Sequence, residues 1–439
     1  MPESTIAASS IAAQIDAAAS AIEARVIAWR RDFHEHPELG NREFRTSGIV
    51  ADHLRRLGLD EVRTEVAHTG VVGLLKGALP GPVVALRADM DALPVTEEVD
   101  VAFASKVQAT WNGESVGVMH ACGHDTHTAI LMGVAEILAG LKAKLRGSVK
   151  FIFQPAEELP PEGEDGGAKM MIDQGALENP KPKVIFGLHV TSRLPLGVIG
   201  YRSGPTMASA DRLRILIEGR QTHGAMPWLG VDPIVTAAQV VLGLQTVVSR
   251  QVDITKEPAV VTIGMIKGGV RENIIPDSVE MRGTIRTFDE EMRDDVHERV
   301  KYLAEAISRG SHAGCKVNIR RNYPVTVNDP ALTEAMLPTL RRVAGAARVE
   351  FISKVSGSED FSFFQRVVPG LFFFVGVTPP GVKPERAEPN HSPRFYVDER
   401  CLSLGVRALA HAASDFLESG FEVVQTSAVN AAPSEKVSA

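Results

Sequence analysis

The sequence has little cysteine, no excess of positive charge and no long apolar run, and each absence excludes a class of protein. Its 439 residues include only three cysteines, Cys122, Cys315 and Cys401. A sparse, odd set without paired spacing argues against a disulfide framework and is typical of a reducing compartment. The formal net charge of −7 provides no basic face for nucleic acid or an anionic membrane, although local arginines can still bind an acidic substrate.

The chain also lacks features that direct a protein to a membrane. No apolar run reaches the length of a transmembrane helix. The first positive residue is Arg25, so the basic region of a signal peptide is missing. We therefore expect a cytoplasmic protein. A chain of 439 residues is too long for one compact core, which predicts two or three domains.

Strands and helices alternate along the first part of the chain. Short apolar runs predict strands at 62–65, 71–76, 83–87, 149–153 and 184–188. This alternation predicts an α/β fold whose central sheet is mostly parallel, with helices on both faces. Past Gly200, two helices and a few strands predict a smaller α+β unit. The predicted division is a large domain at 20–202 and 320–425, a smaller domain at 203–319 and a disordered tail at 426–439.

One stretch of nine residues concentrates groups that bind transition metals. Met119–His127 contains one thiol, three imidazoles and one carboxylate. Gly123 permits a tight turn between Cys122 and His124, and an apolar helical pattern begins directly after His127. A loop of soft and borderline ligands at the start of a helix suits a transition metal.

Four other stretches carry ligand-type residues, and three of them follow predicted strands. They contain Asp89 after 83–86, Glu157 and Glu158 after 149–153, His189 after 184–188, and His391 in a proline-rich loop. The carboxyl ends of parallel strands form the crevice of an open sheet, so we expect three of these groups to converge. A single histidine or Glu-Glu pair is more often packing or a solvated face, but their joint occurrence is hard to explain as packing.

The ligand types suit a pair of divalent ions, which need one bridging ligand and several terminal ones. Cys122 could bridge as a thiolate. His124 and His189 could complete one site, and Glu158 and His391 the other.

Catalysis would also need a group that takes a proton from the shared water and hands it to the leaving amine. Glu157, adjacent to a ligand but pointing elsewhere, is the natural candidate. Asp89 is better placed to orient a ligand histidine.

Together these motifs resemble the M20 family of metallopeptidases, and most closely its amidohydrolase branch of hippurate hydrolases, aminoacylases and auxin-conjugate hydrolases. The resemblance runs from Arg31 to Pro393. It is carried by the motifs Arg87–Pro94, His120–Asp125, Gln154–Glu158 and Gly357–Phe361. It implies hydrolysis of N-acyl amino acids or similar amides by a catalytic domain interrupted by a lid or dimerisation domain at about 203–319. The implied metal ligands are Cys122, His124, Glu158, His189 and His391, with Glu157 as the base.

The same resemblance implies substrate contacts from the smaller domain. His223 would stabilise the oxyanion, often from the partner subunit of a dimer. Asn273 and Arg286 match positions that contact a substrate carboxylate, a role that suits the planar fork of arginine.

Three departures from the family pattern put substrate preference in doubt. Trp228 replaces a second histidine, Arg220–Thr222 replaces a glycine-rich turn, and the segment Leu159–Asp165 is longer and more acidic than usual.

Other functions stay open at this point. The substrate could be a peptide, which would make the protein a dinuclear dipeptidase or carboxypeptidase. Cys122 could instead be a nucleophile with His124 or His127 as base, or the chain could be a metal-binding scaffold without activity. Thiolate and imidazole favour zinc, while manganese, cobalt and nickel also fit the ligand set.

Overall fold

The computed structural model of the chain describes residues 10–158, 160–161 and 163–419. The predicted tail at 426–439 lies outside these residues, as do positions 159 and 162 of the acidic segment. The helices are α1 (Ile11–Glu35), α2 (Phe44–Arg56), α3 (His124–Gly140), α4 (Gly167–Asp173), α5 (Pro233–Thr246), α6 (Glu290–Gly310), α7 (Pro330–Ala344), α8 (Phe361–Gln365) and α9 (Cys401–Ser419). The strands are β1 (Glu61–Val66), β2 (Gly70–Lys76), β3 (Leu79–Asp89), β4 (Gln108–Trp111), β5 (Glu114–Gly117), β6 (Arg146–Gln154), β7 (Val184–Pro195), β8 (Ile199–Tyr201), β9 (Gly204–Met207), β10 (Ala210–Glu218), β11 (Thr222–His223), β12 (Ala259–Gly268), β13 (Ile274–Ile275), β14 (Ser278–Thr287), β15 (Gly314–Tyr323), β16 (Thr326–Asn328), β17 (Val349–Phe351) and β18 (Gly370–Thr378).

The chain folds into two compact units. The larger unit runs up to Gly204 and resumes with Asn328–Ile352 and the residues from Phe363 onward, whereas the smaller unit comprises Pro205–Val327 and Ser353–Ser362. The boundary drawn from the sequence at 319 falls inside β15, which pairs with β10 along its length. Ser353–Ser362, which the sequence analysis left in the large domain, packs with the smaller unit.

An eight-stranded sheet forms the centre of the larger unit, in the order β1-β2-β6-β3-β7-β18-β8-β17. The middle neighbours β6, β3, β7 and β18 run parallel, while β1 and β2 are antiparallel at one edge. The predicted α/β fold with a mostly parallel central sheet is confirmed.

The central strands are buried on both faces, which explains their unbroken apolar runs. Leu86, Phe151, Phe186 and Phe373 belong to one core cluster with residues of α1, α3 and α9. The residues next to them along each strand are also fully buried, namely Ala85, Ile152, Ile185 and Phe372. Because successive side chains of a strand point to opposite faces, both faces of the sheet are covered.

The parallel strands place their carboxyl ends together. Asp89 is the last residue of β3 and lies opposite Gln154, the last residue of β6. His189 was predicted to follow its strand, but β7 continues to Pro195. It continues because Val190 to Pro195 stay paired with β18, so His189 projects from the strand itself.

The smaller unit packs one face of an antiparallel sheet on two helices. The strand order is β12-β14-β10-β15. Leu213, Ile215 and Ile217 of β10 point into a core that contains Val240 of α5 and Val296 of α6. Alternate positions of β10 are more exposed, as expected for a sheet with one solvated face.

Among the described residues, no helix is both long enough and apolar enough to cross a membrane.

Lys150 in β6 is a buried cation that should make the free energy of unfolding depend on pH. It is 2% exposed and donates to the carbonyl of Glu178. Burial and the nearby Arg63 lower its pKa to about 8 from 10.5. Between these pH values the unfolded chain binds more protons, so the free energy of unfolding should rise with pH through this residue. In urea titrations at pH 7.5 and 10, we expect wild type to gain stability relative to Lys150→Met. If the difference in unfolding free energy between wild type and Lys150→Met is the same at both pH values, the expectation is wrong.

Candidate metal centre

Cys122 and His124 stand on either side of a tight turn at the start of α3. Gly123 between them has a φ of +94°, a left-handed conformation that side chains disfavour. A Cβ atom at this position would also lie 2.4 Å from Cγ2 of Val190 in β7. Glycine is therefore needed for the backbone conformation and for the close approach of β7, and both bring the two ligand-type residues against this strand.

Three residues from distant parts of the chain meet at the Cys122 thiol. Cys122 Sγ lies 3.3 Å from Nε2 of His189 and 3.3 Å from Nε2 of His391. The same His391 nitrogen lies 2.8 Å from Oε1 of Glu158. The structure thus brings together a thiol, two imidazoles and a carboxylate from four segments of the larger unit.

Hydrogen bonds fix which nitrogen of each buried ring faces this cluster. His189 Nδ1 lies 2.7 Å from the carbonyl of Val190. A carbonyl can only accept, so Nδ1 carries the proton and Nε2 presents a lone pair to the thiol. His124 Nδ1 lies 3.1 Å from Oδ1 of Asp91, so Nε2 is the nitrogen that a cation would bind, in place of the proton that the neighbouring carboxylates favour there.

The positions of the donor atoms fit a pair of metal ions. Among the described residues, His124 Nε2 is buried and has no hydrogen-bond partner. Donor atoms of Cys122, His124 and His189 lie within 4.8 Å of one another, and so do those of Cys122, Glu158 and His391. The two sets share the thiol, as a bridging ligand would require.

The electrostatics of the cluster also favour cations. Burial raises the pKa of the Cys122 thiol well above its usual value, and the carboxylates of Glu158 and Glu157 raise it further. Burial would lower the pKa of His124, but Asp89 and Asp91 outweigh it and raise that pKa to about 10. Acidic groups are therefore crowded in a space of low dielectric constant, and a divalent cation would reverse this unfavourable balance.

Glu157 lies beside the two donor sets. It is 5% exposed, and one of its oxygens lies within 4.8 Å of donor atoms of His124 and Glu158. It reaches this place because the residue before it, Ala156, turns the chain with a φ of +50°. The carboxylate is therefore near the cluster without belonging to either set that contains the thiol.

Asp89 and Asp91 have different partners. Asp89 lies 2.6 Å from Nδ1 of His127 and 2.7 Å from the guanidinium of Arg87. His127 Nε2 accepts the amide proton of Val190, so both nitrogens of His127 are engaged within the protein. By distance, Asp91 rather than Asp89 orients His124.

Asp91 also holds a second ligand-type residue. Its Oδ1 faces His124, and its Oδ2 accepts the backbone N–H of Glu158 at 2.9 Å. One buried carboxylate thus fixes a residue of each donor set. Asp91 lies in the motif that points to this site, but its partners are far away in the chain and the sequence analysis gave it no role.

Asn390 is a second residue that the sequence analysis did not single out. Its amide nitrogen donates to the carbonyls of Cys122 and Val190, both at 3.1 Å. The backbone N–H of His391 donates to the carbonyl of Ala121 at 2.7 Å. These contacts hold the loop of His391 against the Cys122 loop and β7, and only its place beside His391 could have indicated it.

The predicted substrate contacts belong to the smaller unit. His223 in β11 pairs with Ile274 of β13, and the N–H of Gly224 donates to the carbonyl of Asn273. His223 and Asn273 are thus neighbours. Arg286 stands apart in β14, where its guanidinium donates to Oγ of Ser358 at 2.9 Å.

Comparisons with known proteins identify the family to which the chain is similar. Residues 85–415 match the model of peptidase family M20/M25/M40. The chain is 42% identical to thermostable carboxypeptidase 2 of Saccharolobus solfataricus, covering 89% of this chain and 94% of the relative. It is 38% identical to N-acetylcysteine deacetylase of Bacillus subtilis, covering 91% and 98%. The solved structure of the Bacillus subtilis YXEP protein, described as a dinuclear metal binding peptidase, superposes with a TM-score of 0.75 at 36% identity, covering 91% and 99%.

Substitution of Asp91 tests the positioning of the donor sets. An asparagine has one acceptor oxygen and cannot accept from both the His124 ring and the Glu158 amide. We expect Asp91→Asn to weaken metal binding by about 10–100-fold, measured by competition with a chromophoric chelator. Asp173→Asn, in an exposed ion pair with Lys169, is the control and should leave the affinity unchanged. Equal affinities for both variants would show that Asp91 does not hold the ligands.

Proposed function

This chain belongs to peptidase family M20/M25/M40, and from that membership we propose that it hydrolyses the amide bond of N-acyl amino acids. It is a hydrolase of this family. The observation that carries the proposal is the meeting of Cys122, His189, His391 and Glu158 at 2.8–3.3 Å. The substrate would be a small amide with a free carboxylate next to the scissile bond.

Two divalent cations would be held by the five donors predicted from the sequence. Cys122 would bridge, His124 and His189 would complete one site, and Glu158 and His391 the other. When bound, such a pair makes a shared water more acidic and polarises the substrate carbonyl. Zinc and manganese suit the mixture of thiolate, imidazole and carboxylate, and cobalt or nickel are alternatives.

Glu157 would move the protons of the reaction. Its carboxylate takes a proton from the attacking water and returns it to the nitrogen of the leaving amino acid. Its burial supports this role because a carboxylate with little access to bulk water keeps the proton within the site. Asp91 and Asn390 would take no part in proton transfer. They would hold the ligand residues in place.

The smaller unit would supply the remaining substrate contacts. His223 and Asn273 are neighbours, and Arg286 is half-buried with its guanidinium on a serine hydroxyl. Burial lowers the pKa of Arg286 from its usual value, so an incoming carboxylate would relieve the cost of this buried charge. We assign Asn273 and Arg286 to the carboxylate and His223 to the oxyanion.

We also propose that two copies associate through the smaller unit. Strand β12 lies at one edge of its sheet, and its residues Val260 and Ile266 are 43% and 56% exposed. An edge strand with exposed apolar side chains is a surface that proteins usually cover. The cytoplasmic location stays a prediction from the sequence.

Removal of the base separates catalysis from metal binding. We expect Glu157→Gln to keep the metal content of wild type but to lose at least about 100-fold in turnover, because the amide cannot take the proton. Glu158→Gln is the contrast and should lose metal as well as turnover. Both quantities can be read from elemental analysis and an assay of amino-acid release. Near-normal turnover by metal-loaded Glu157→Gln would remove this residue from the base role.

The carboxypeptidase relatives favour one alternative substrate, a short peptide. We expect the metal-loaded protein to cleave N-acyl amino acids with a kcat/KM at least about tenfold above that for dipeptides of the same carboxyl-terminal residue. A preference for the dipeptides would make the protein a peptidase. Activity that survives chelation but not alkylation of thiols would instead support Cys122 as a nucleophile. Metal-loaded protein that cleaves no amide would support a scaffold.

A further inference from the structure

The turn that aims Glu157 is conformationally costly. Ala156 is not a glycine, yet its φ is +50°, in the left-handed region that side chains rarely occupy. It is 1% exposed and directly precedes Glu157. A residue with an ordinary φ at 156 would send the carboxylate of Glu157 in another direction, whereas the backbone of Glu158 is held separately by Asp91. Something in the structure must therefore hold this turn.

The buried carboxyl of Glu43 is hydrogen-bonded to this turn. Glu43 is fully buried, and its Oε1 accepts the backbone N–H of Ala156 at 2.9 Å. Its Oε2 lies 2.5 Å from Oγ1 of Thr69. Glu43 is not among the residues assigned to the metal sites, the base or the substrate.

The residues before Glu43 hold the far side of the same loop. Asn41 donates through its amide nitrogen to the carbonyl of Asp165 and to Glu164, both at 3.0 Å. Arg42 forms an ion pair with Glu164. The segment 41–43 therefore fixes the loop that begins with Glu157 at two points, and only the contact from Glu43 reaches the turn itself.

We propose that Glu43 is a positioning residue for the general base: by binding the amide of Ala156 it maintains the left-handed turn that directs Glu157 toward the reacting water. This inference rests on the proposed function, since it concerns the base of that reaction. Glu43 does not touch the substrate or a metal. Its effect passes through one backbone hydrogen bond.

The chemistry of Glu43 indicates which substitution should be tolerated. Oγ1 of Thr69 donates to Oε2 of Glu43, and burial, followed by the nearby Asp91, raises the pKa of Glu43 to about 8, so a neutral group of the same shape should be tolerated at this position. Glutamine has the same shape, with a carbonyl oxygen for Ala156 and an amide N–H for Thr69. Alanine has neither.

The test is a pair of substitutions at 43 and 156 in the metal-loaded enzyme. We expect Glu43→Ala to lower kcat by about 100-fold with KM and metal content nearly unchanged, because a displaced catalytic group loses rate rather than binding. Glu43→Gln should stay within about threefold of wild type. The double variant Glu43→Ala/Ala156→Gly should regain at least about tenfold in kcat, because glycine adopts the turn without help. Ala156→Gly alone should give no such gain.

Glu38→Ala is the matched control. Glu38 lies just before this segment and also accepts two hydrogen bonds, but from the first turn of α2, at Arg45 and Thr46. It should lower the melting temperature and leave kcat within about twofold of wild type. Loss of metal or a large change in KM in Glu43→Ala, or no rescue by Ala156→Gly, would overturn the positioning role.

A second readout separates this inference from the proposed activity. The melting temperatures of the four proteins in the cycle should be non-additive, with Ala156→Gly more favourable in the Glu43→Ala background than in wild type. Additive shifts would overturn the contact between Glu43 and the turn, whatever the protein cleaves. Non-additive shifts in a protein that cleaves no amide would instead leave the contact standing and refute the proposed function.

Discussion

The candidate metal centre of the larger unit is organised around one crowded contact, a thiol held between two imidazole nitrogens. Cys122 Sγ lies 3.3 Å from both His189 and His391, residues that are distant from it in the chain. Without a cation, burial and the neighbouring carboxylates oppose ionisation of this thiol. The protein nevertheless builds the contact from a loop, a strand and a proline-rich segment, and it secures them with Asn390, Gly123 and Asp91. Such rigid support for an electrostatically unfavourable group is expected where binding energy from a ligand repays the cost.

The sheet explains how the contact is achieved. Parallel strands β3, β6 and β7 end or pass at the same edge, so Asp89, the Glu157 loop and His189 come from neighbouring strands. The larger unit thus provides a rigid support for the proposed ligand residues, while the loop after β6 carries the proposed base. Strained backbone conformations also occur in the loops of the candidate centre, since His391 and Ala156 both have positive φ angles.

The sequence predicted the fold class well, because apolar runs buried on both faces can be identified without knowing their neighbours. It also selected five candidate donor residues, whose side-chain chemistry is distinctive and which the structure brings together in two groups. It could not assign Asp91, Asn390 or Glu43, because their contacts are hydrogen bonds to groups that are distant in the chain. The extension of β7 beyond Leu188 and the return of Ser353–Ser362 to the smaller unit likewise depend on pairing between remote segments, which local patterns do not record.

The central claim is that the Cys122 thiolate bridges two metal ions. X-ray absorption at the metal edge of the loaded protein tests it most directly. We predict a sulfur scatterer at about 2.3 Å if the metal is zinc, together with a second metal at about 3.5–4 Å, and both features should disappear in Cys122→Ser. A spectrum of the loaded wild-type protein with only nitrogen and oxygen neighbours and no metal at that distance would contradict the account.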